Sequence, residues 1–342
     1  MQDITLENLR PHLLYSFKSE HELEKSIEKV GAIFNHMRSH LDEYANDEKM
    51  ISAYVAYYLA TNFPKLESVL NMVGIDLSDY KSLIDIGTGP GTFLLAAHAL
   101  NPHLELVGID QSDLMLNQAM KLTKGLGVNC PISFGKKLLK ENNDKNLFLF
   151  SHSINEMLDA QIDSYLDTID NQDILIIEPG TKEVYQKLML VRQKMIEKNY
   201  NIHFPCSSNE SCLMNQEHDW CHQYIMVKHS EDIERMTQKL QRNRRLLPLV
   251  VQFYSKKEKS KSVHARLVRV FKPTKYSFEW EVCMPDHSLV RLEIPSKIYS
   301  KSEQKRVVNV TAGSKVEFTL IKELKDRLRV EVTNMQDLIQ TD

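Results

Sequence analysis

Ser82-Leu-Ile-Asp85-Ile-Gly87-Thr-Gly89-Pro-Gly91-Thr92, followed by His103-Leu-Glu-Leu-Val-Gly-Ile-Asp110, decides the fold. Leu83, Ile84 and Ile86 are the short apolar run of a strand buried on both faces. Three alternating glycines then let the backbone turn tightly and approach a ligand closely. A helix opens at Thr92, so its N-terminal amides face whatever lies over the loop. Asp110 ends the next apolar run, 19 residues past Gly91, where a doubly wound sheet sets a carboxylate against ribose hydroxyls.

The loop is G-x-G-x-G. It lacks the Lys-Ser/Thr ending of a phosphate loop, and position 92 is Thr, so the dinucleotide pattern G-x-G-x-x-G fails. Asp85 at its start suits an amine-bearing, cationic ligand better than a pyrophosphate. The stretch resembles motif I of class I S-adenosylmethionine (SAM) methyltransferases. That resemblance implies cofactor contacts at Asp85, Gly87, Gly89, Gly91 and Asp110.

Working outward, residues 1–75 are predicted helical. Ile27, Val30, Ile33, Phe34 and Met37 recur at helical spacing, and a second helix covers Met50–Asn62 before Pro64. Tyr54, Tyr57 and Tyr58 are expected to pack in the core against the sheet. Residues 76–255 are predicted to form a Rossmann-like sheet. A helix follows from an N-cap at Ser112, then strands at Pro131–Phe134, Leu147–Phe150 and Ile174–Ile177, and a helix over Lys182–Lys198. A cysteine-rich insertion occupies 202–222. Residues 256–342 turn to period-two alternation at Ala265–Phe271, Phe278–Cys283, Leu289–Ile294, Val307–Val310 and Lys315–Leu320. They predict a β-rich extension, partly the last strands of the sheet and partly a small appended unit.

Composition narrows the class. The 342 residues suffice for an α/β core with additions, and no apolar run reaches the roughly 18 residues of a membrane span. The first residues lack the order of a signal peptide or transit peptide, so a cytoplasmic, monomeric protein without membrane contact is expected. Net charge is −3, but Arg235–Lys275 holds 13 Lys/Arg against one acid, Glu258. That local +12 leaves −15 on the remainder and suggests a polyanion-facing surface or a solvated basic face. Three of five cysteines, Cys206, Cys212 and Cys221, fall within 16 residues. C-x5-C-x8-C is not a paired C-x-x-C zinc spacing, and composition leaves zinc, an iron–sulfur cluster and coincidence open.

Three pieces together resemble the methyltransferase-like assembly proteins of the mitochondrial small ribosomal subunit and their bacterial relatives. They are Ala53-Tyr-Val-Ala-Tyr-Tyr-Leu-Ala60 running into the glycine loop; Glu178-Pro-Gly-Thr181 with Phe204-Pro-Cys206 and Asp219-Trp-Cys221-His222; and Trp280-Glu-Val-Cys283-Met-Pro-Asp286. The resemblance implies a SAM-binding fold, a 4Fe-4S cluster on Cys206, Cys212, Cys221 and the distant Cys283, and the small ribosomal subunit or its rRNA as partner. Cys130 falls outside this set and is expected to be a buried apolar cysteine. The sequence departs from the family at Cys206-Ser-Ser208 and Cys212-Leu213. His203, His218 and His222 stand nearby, which keeps a mixed Cys/His zinc site as the alternative.

Phe134-Gly-Lys136 lacks the Asp that many methyltransferases place against adenine. After the fourth strand, Ser151-His152-Ser153-Ile154-Asn155-Glu156 carries neither an Asn/Asp-Pro-Pro-aromatic motif nor a nucleophilic cysteine. His152, Asn155 and Glu156 face the pocket or hold the fold, and catalytic residues are unassigned. Three functions remain: an rRNA methyltransferase, an assembly factor of the same fold without efficient catalysis, and a small-molecule methyltransferase.

Overall fold

A computed structural model describes residues 4–36, 44–138, 145–214, 217, 219–259 and 264–336. The chain divides into two compact units. The first comprises Met1–Glu178 and Met226–Leu246, the second Pro179–Ile225 and Leu247–Asp342.

In the first unit, β1 (Ser82–Ile86), β2 (Glu105–Ile109), β3 (Ile132–Gly135), β4 (Asn146–Ser151) and β5 (Asp173–Pro179) form parallel ladders in the order β3-β2-β1-β4-β5. Helices Thr92–Leu100, Asp113–Gly125 and Asp159–Thr168 make the crossovers. This is the Rossmann-like arrangement of class I methyltransferases, with ligand space expected at the strands' C-terminal ends. β1 and β4 are buried along their whole lengths, as continuous apolar runs in a parallel sheet require. Ser112 caps its helix as predicted, accepting from the Met115 amide at 3.2 Å.

The N-terminal helices have their own core. Leu23, Ile27, Val30 and Ile33 line one face of helix Glu20–His36 and pack with Met50, Ile51, Tyr57 and Leu59. The predicted helix over Met50–Asn62 is a short α-helix, Glu48–Ala53, then a π-helical stretch, Tyr54–Leu59, then Ala60–Asn62. Its tyrosines are core residues, as expected. Within their cluster the described partners Leu95, Met115 and Leu122 come from crossover helices, not from strands. Met37 lies outside the described residues.

In the second unit, β6 (Asn201–Phe204) pairs antiparallel with β8 (Leu246–Ser255), and β7 (Gln223–Met226) also pairs with β8. The remaining strands are β9 (Ala265–Val270), β10 (Ser277–Cys283), β11 (Leu289–Pro295), β12 (Lys315–Glu323) and β13 (Leu328–Gln336). They close a barrel in the order β9-β10-β11-β13-β12-β9, with the β11–β13 contact parallel. None of the five extends the parallel sheet, which corrects the expectation that some would. The barrel is filled by Leu267, Phe278, Trp280, Val282, Leu292, Ile294 and Val330.

Val307–Val310, predicted as strand, belongs instead to helix Lys301–Asn309, whose Val307 plugs the barrel. The reason is local. Ser300 and Glu303 form a capping box, the Ser300 hydroxyl accepting from the Glu303 amide and the Glu303 carboxylate from the Ser300 amide at 2.8 Å. Ser300→Ala should cost about 1 kcal/mol and lower the denaturation midpoint measurably. An unchanged midpoint would show that packing of Val307 alone holds the helix.

Candidate functional site

The three loop glycines have separate tasks. All have left-handed φ, +74°, +54° and +82° at Gly87, Gly89 and Gly91. A side chain at Gly87 would press on Ser153, its Cβ lying 2.5 Å from the Ser153 Cβ. At Gly91 a Cβ would sit 3.3 Å from that of Ala119. At Gly89 a Cβ would meet no described atom within 4 Å. Two glycines therefore serve packing, and Gly89 fronts open space.

The loop is pinned to β2. The Gly87 and Thr88 amides donate to the Ile109 carbonyl at 2.8 and 2.9 Å. Asp110 accepts the Gly89 amide at 2.8 Å on Oδ2 and the Ser112 amide at 2.9 Å on Oδ1. The Gln111 amide also bonds this carboxylate, leaving about one of its four lone-pair sites for a ligand. Burial raises the Asp110 pKa while these amides oppose the rise.

Beneath the loop Asp85 is fully buried. Its Oδ1 accepts from the Ser151 hydroxyl at 3.2 Å, and Oδ2 has no partner among the described residues. Burial pushes this carboxyl up to about 7, against the pull of Thr88 and Ser151 and with a push from Asp110. The folded carboxyl therefore keeps its proton above the unfolded value of about 4. Between those values the folded state binds more protons, so this group's contribution to stability declines as pH rises from about 4 to 7. Asp85→Asn removes that decline and keeps an acceptor for Ser151. The variant should gain stability over wild type at about pH 8 and little at about pH 4. Denaturant titrations check this, and an equal advantage at both pH values would place the titration elsewhere.

Further polar groups collect at the ends of β4 and β5. Glu178 Oε1 accepts the Ser153 and Ile154 amides at 2.9 and 2.7 Å, and Oε2 has no described partner. Burial raises its pKa to about 8, opposed by the Ile154 amide. His152 adopts a left-handed φ of +55°, and its Nε2 lies 2.9 Å from Lys65 Nζ. Lys65 is only 3% exposed; burial, assisted by Arg244, depresses its pKa to about 7. Burial, then Lys65 and Arg244, hold His152 well below the usual range, so its ring is neutral beside Lys65. Sequence reasoning singled out His152 and missed Lys65, because a lone lysine after Pro64 gives no signal in a helical pattern. Asn155 Oδ1 is buried without a described partner, and the Glu156 charge is felt at Tyr54 and Glu178.

The second unit gathers its four candidate thiols. Cys206, Cys212, Cys221 and Cys283 line one pocket with Tyr185, Arg192, Gln252, Arg266 and His287. All four are free and half-buried. Gln223 Nε2 donates to Cys221 Sγ at 3.7 Å, Tyr185 Oη lies 3.4 Å from Cys212 Sγ, and Ser207 Oγ lies 3.8 Å from Cys283 Sγ. Arg192 and Lys259 hold the loop by donating to the carbonyls of Ser208, Glu210, Ile202 and Cys206. Burial, reinforced by the neighbouring thiols, raises the Cys221 pKa, and burial also raises that of Cys283; Arg266 opposes both. Among the described residues, no group of three or more His, Cys, Asp or Glu side chains is gathered tightly enough to hold a single metal ion.

His287, which sequence reasoning missed, joins the pocket wall and bridges Ser208 Oγ and the Ser211 carbonyl at 2.9 and 2.8 Å. His203 approaches the Lys257 carbonyl and His222 stacks on Trp220. His218 lies outside the described residues. Cys130 is half-buried rather than buried.

The Arg235–Lys275 segment is not one free cationic stripe. Its first part belongs to the first unit, where Lys239 pairs with Glu20 and Glu24, Arg245 with Glu234, and Arg242 and Arg244 lie over the Tyr58 ring at 5.6 and 5.4 Å. Its second part belongs to the second unit, where Arg266 covers Phe204 at 4.6 Å.

Comparison with known proteins adds the following. A carboxy-S-adenosyl-L-methionine synthase of Nautilia profundicola is 38% identical over 52 residues, which are 15% of this chain and 22% of that protein. The chain thus matches about a fifth of that curated relative's length. The ribosomal protein L11 methylase of Lactobacillus delbrueckii subsp. bulgaricus is similar over 56% of this chain and 79% of its own, at 14% identity and a TM-score of 0.35. The plantazolicin methyltransferase BpumL in complex with SAH is similar over 69% and 97%, at 14% identity and a TM-score of 0.35. The profile of the family described as mitochondrial small ribosomal subunit Rsm22 matches residues 48–299, and the chain belongs to that family.

Proposed function

We propose that this chain is a SAM-binding, iron–sulfur-containing, methyltransferase-like protein acting on the small ribosomal subunit or its rRNA. The observation that carries the cofactor reading is the pairing of open space over Gly89 with the unpartnered Oδ2 of buried Asp85. Asp85 would accept from the cofactor's α-amine and Asp110 from a ribose hydroxyl with its remaining lone pair. SAM supplies an electrophilic methyl group on a sulfonium. The chain's part is to align it and exclude water.

The thiol pocket supports the cluster reading. Four thiols in one pocket match the four thiolates a 4Fe-4S cluster needs, and zinc is the rival that iron and sulfide analysis separates. Arg266, Gln223 and Ser207 would stabilise charge on the sulfurs.

The groups beyond β4 favour an assembly factor over an efficient enzyme. His152 is held by Lys65, and Glu178 is occupied with two backbone amides. The ribosomal partner rests on the family. The test is co-sedimentation of anaerobically purified protein with small-subunit particles, with methyl transfer from labelled SAM followed in the same samples. Binding with transfer to rRNA supports the enzyme, and binding without transfer the assembly factor. Absence of binding, with transfer to a small molecule instead, would overturn the ribosomal reading.

A further inference from the structure

We propose that the C-terminal barrel carries a single-stranded RNA site built on the loop Phe271–Tyr276, the loop 324–327 and the outer face of β10 and β11. The strand order β9-β10-β11-β13-β12-β9, with helix Lys301–Asn309 between the third and fourth strands, is the topology of an OB fold. Barrels of that topology bind oligonucleotides or oligosaccharides on the face of their second and third strands, between the loops joining strands one to two and four to five. Here those loops are Phe271–Tyr276 and residues 324–327.

Side chains tie the two loops together across that face. The Arg291 guanidinium lies 4.3 Å from the Phe271 ring centre, at the base of the first loop. Glu279 on β10 accepts from Arg291 at 2.6 Å and from Arg327, at the end of the second loop, at 2.7 Å. The carboxylates on this face have cationic partners: Glu279 as above, Glu293 paired with Arg329, and Glu281 beside Arg269, which it shares with Asp219. The cations of the loop tips are therefore not cancelled by it.

The first loop presents a stacking surface. Tyr276 is 73% exposed, and Lys275 Nζ lies 5.5 Å from its ring. Its backbone is held, the Tyr276 carbonyl accepting the Ser296 amide at 2.9 Å and the Tyr276 amide donating to Thr274 Oγ1 at 3.2 Å. Lys272 is exposed one residue past Phe271, and Lys325 is exposed in the second loop. Residues 265–336 hold 14 basic against nine acidic residues, a net +5 in a chain of net −3. An exposed aromatic ring on a held backbone, with Lys275 beside it, selects a single strand, whose bases are free to stack, over a duplex or an uncharged sugar. Cys283 and Leu289 line the thiol pocket at the far end of β10 and β11 from Tyr276, so the stacking surface of the first loop is separate from it. The choice of RNA over DNA rests on the small-subunit reading; the site itself does not.

The test uses full-length protein and a fluorescein-labelled oligouridylate of about 12 nucleotides, within the span covered by such barrels. Fluorescence anisotropy should show saturable binding that weakens with salt. Tyr276→Ala should raise Kd about tenfold with little change in salt slope. Lys272→Glu with Lys275→Glu should weaken binding and reduce the slope of log affinity against log salt by about 1.4. Both variants alter exposed side chains, and unchanged melting curves would confirm their fold. Equal affinity of wild type and both variants would overturn the site. Binding of a duplex as tightly as the single strand, or competition by a neutral oligosaccharide, would overturn the ligand class. The oligouridylate needs no ribosome, so failure of co-sedimentation leaves this result standing on its own.

Discussion

Gly87→Ala should destabilise the first unit by about 2–4 kcal/mol, whereas Gly89→Ala should leave the fold nearly intact and weaken SAM binding about a hundredfold. Both residues have left-handed φ, so each alanine carries the same backbone cost of about 1 kcal/mol. The contacts separate them. The new Cβ at Gly87 would lie 2.5 Å from that of Ser153, whose amide is fixed on Glu178, so Ser153 has no easy retreat. Overpacking of this kind costs about 1–3 kcal/mol. At Gly89 the methyl enters the space above the loop and meets only the ligand. A misfit of similar size there weakens binding about a hundredfold. Denaturation midpoints and calorimetry on both variants make the comparison. Equal loss of stability in the two, or undiminished binding in Gly89→Ala, would remove the loop from the cofactor site.

Cys283→Ser should release the cluster while Cys130→Ser retains it. Cys283 closes the pocket from β10, about sixty residues from the other three thiols. A 4Fe-4S cluster with one thiolate replaced by a hydroxyl loses a ligand that holds iron strongly. Anaerobic wild-type protein should be brown with about four irons and four sulfides per chain, and Cys283→Ser nearly colourless. Because ligand binding to the folded state adds to its stability, the variant's second unit should also melt earlier. Stoichiometric zinc without sulfide in wild type would establish the rival site, and a full cluster in Cys283→Ser would reject that ligand.

The parallel sheet was readable because β4 and β5 carry unbroken apolar runs, Leu147–Phe150 and Ile174–Ile177, and β1 is apolar at Leu83, Ile84 and Ile86 up to the glycine loop. The barrel was not. Period-two alternation announces strands but says nothing about which strands close on which, and the clean alternation of β13, Leu328-Arg-Val-Glu-Val-Thr333, was passed over. Helix Lys301–Asn309 was misread because Val307 and Val308 outweighed the capping box that starts it. The tyrosines of 54–58 were placed in the core correctly, yet the arginines over them, Arg242 and Arg244, were read as surface charge. Among the site residues, the three clustered cysteines were visible from spacing, and Cys283 entered through resemblance alone. The pocket now puts all four on one wall. Lys65 and His287 act through neighbours remote in sequence, and no local pattern marks either.

The most direct test of the cofactor reading is isothermal calorimetry of SAM against anaerobic wild-type protein and the Asp85→Asn variant across pH. Wild type should bind one SAM per chain at about pH 8. Affinity should fall as pH drops below about 7, where Asp85 takes up its proton. Asp85→Asn should bind roughly 10–100-fold more weakly at about pH 8, the worth of a charged hydrogen bond, with that pH dependence gone. No heat of binding to folded, cluster-loaded wild type, or equal affinity and pH dependence in Asp85→Asn, would contradict a SAM site on this loop.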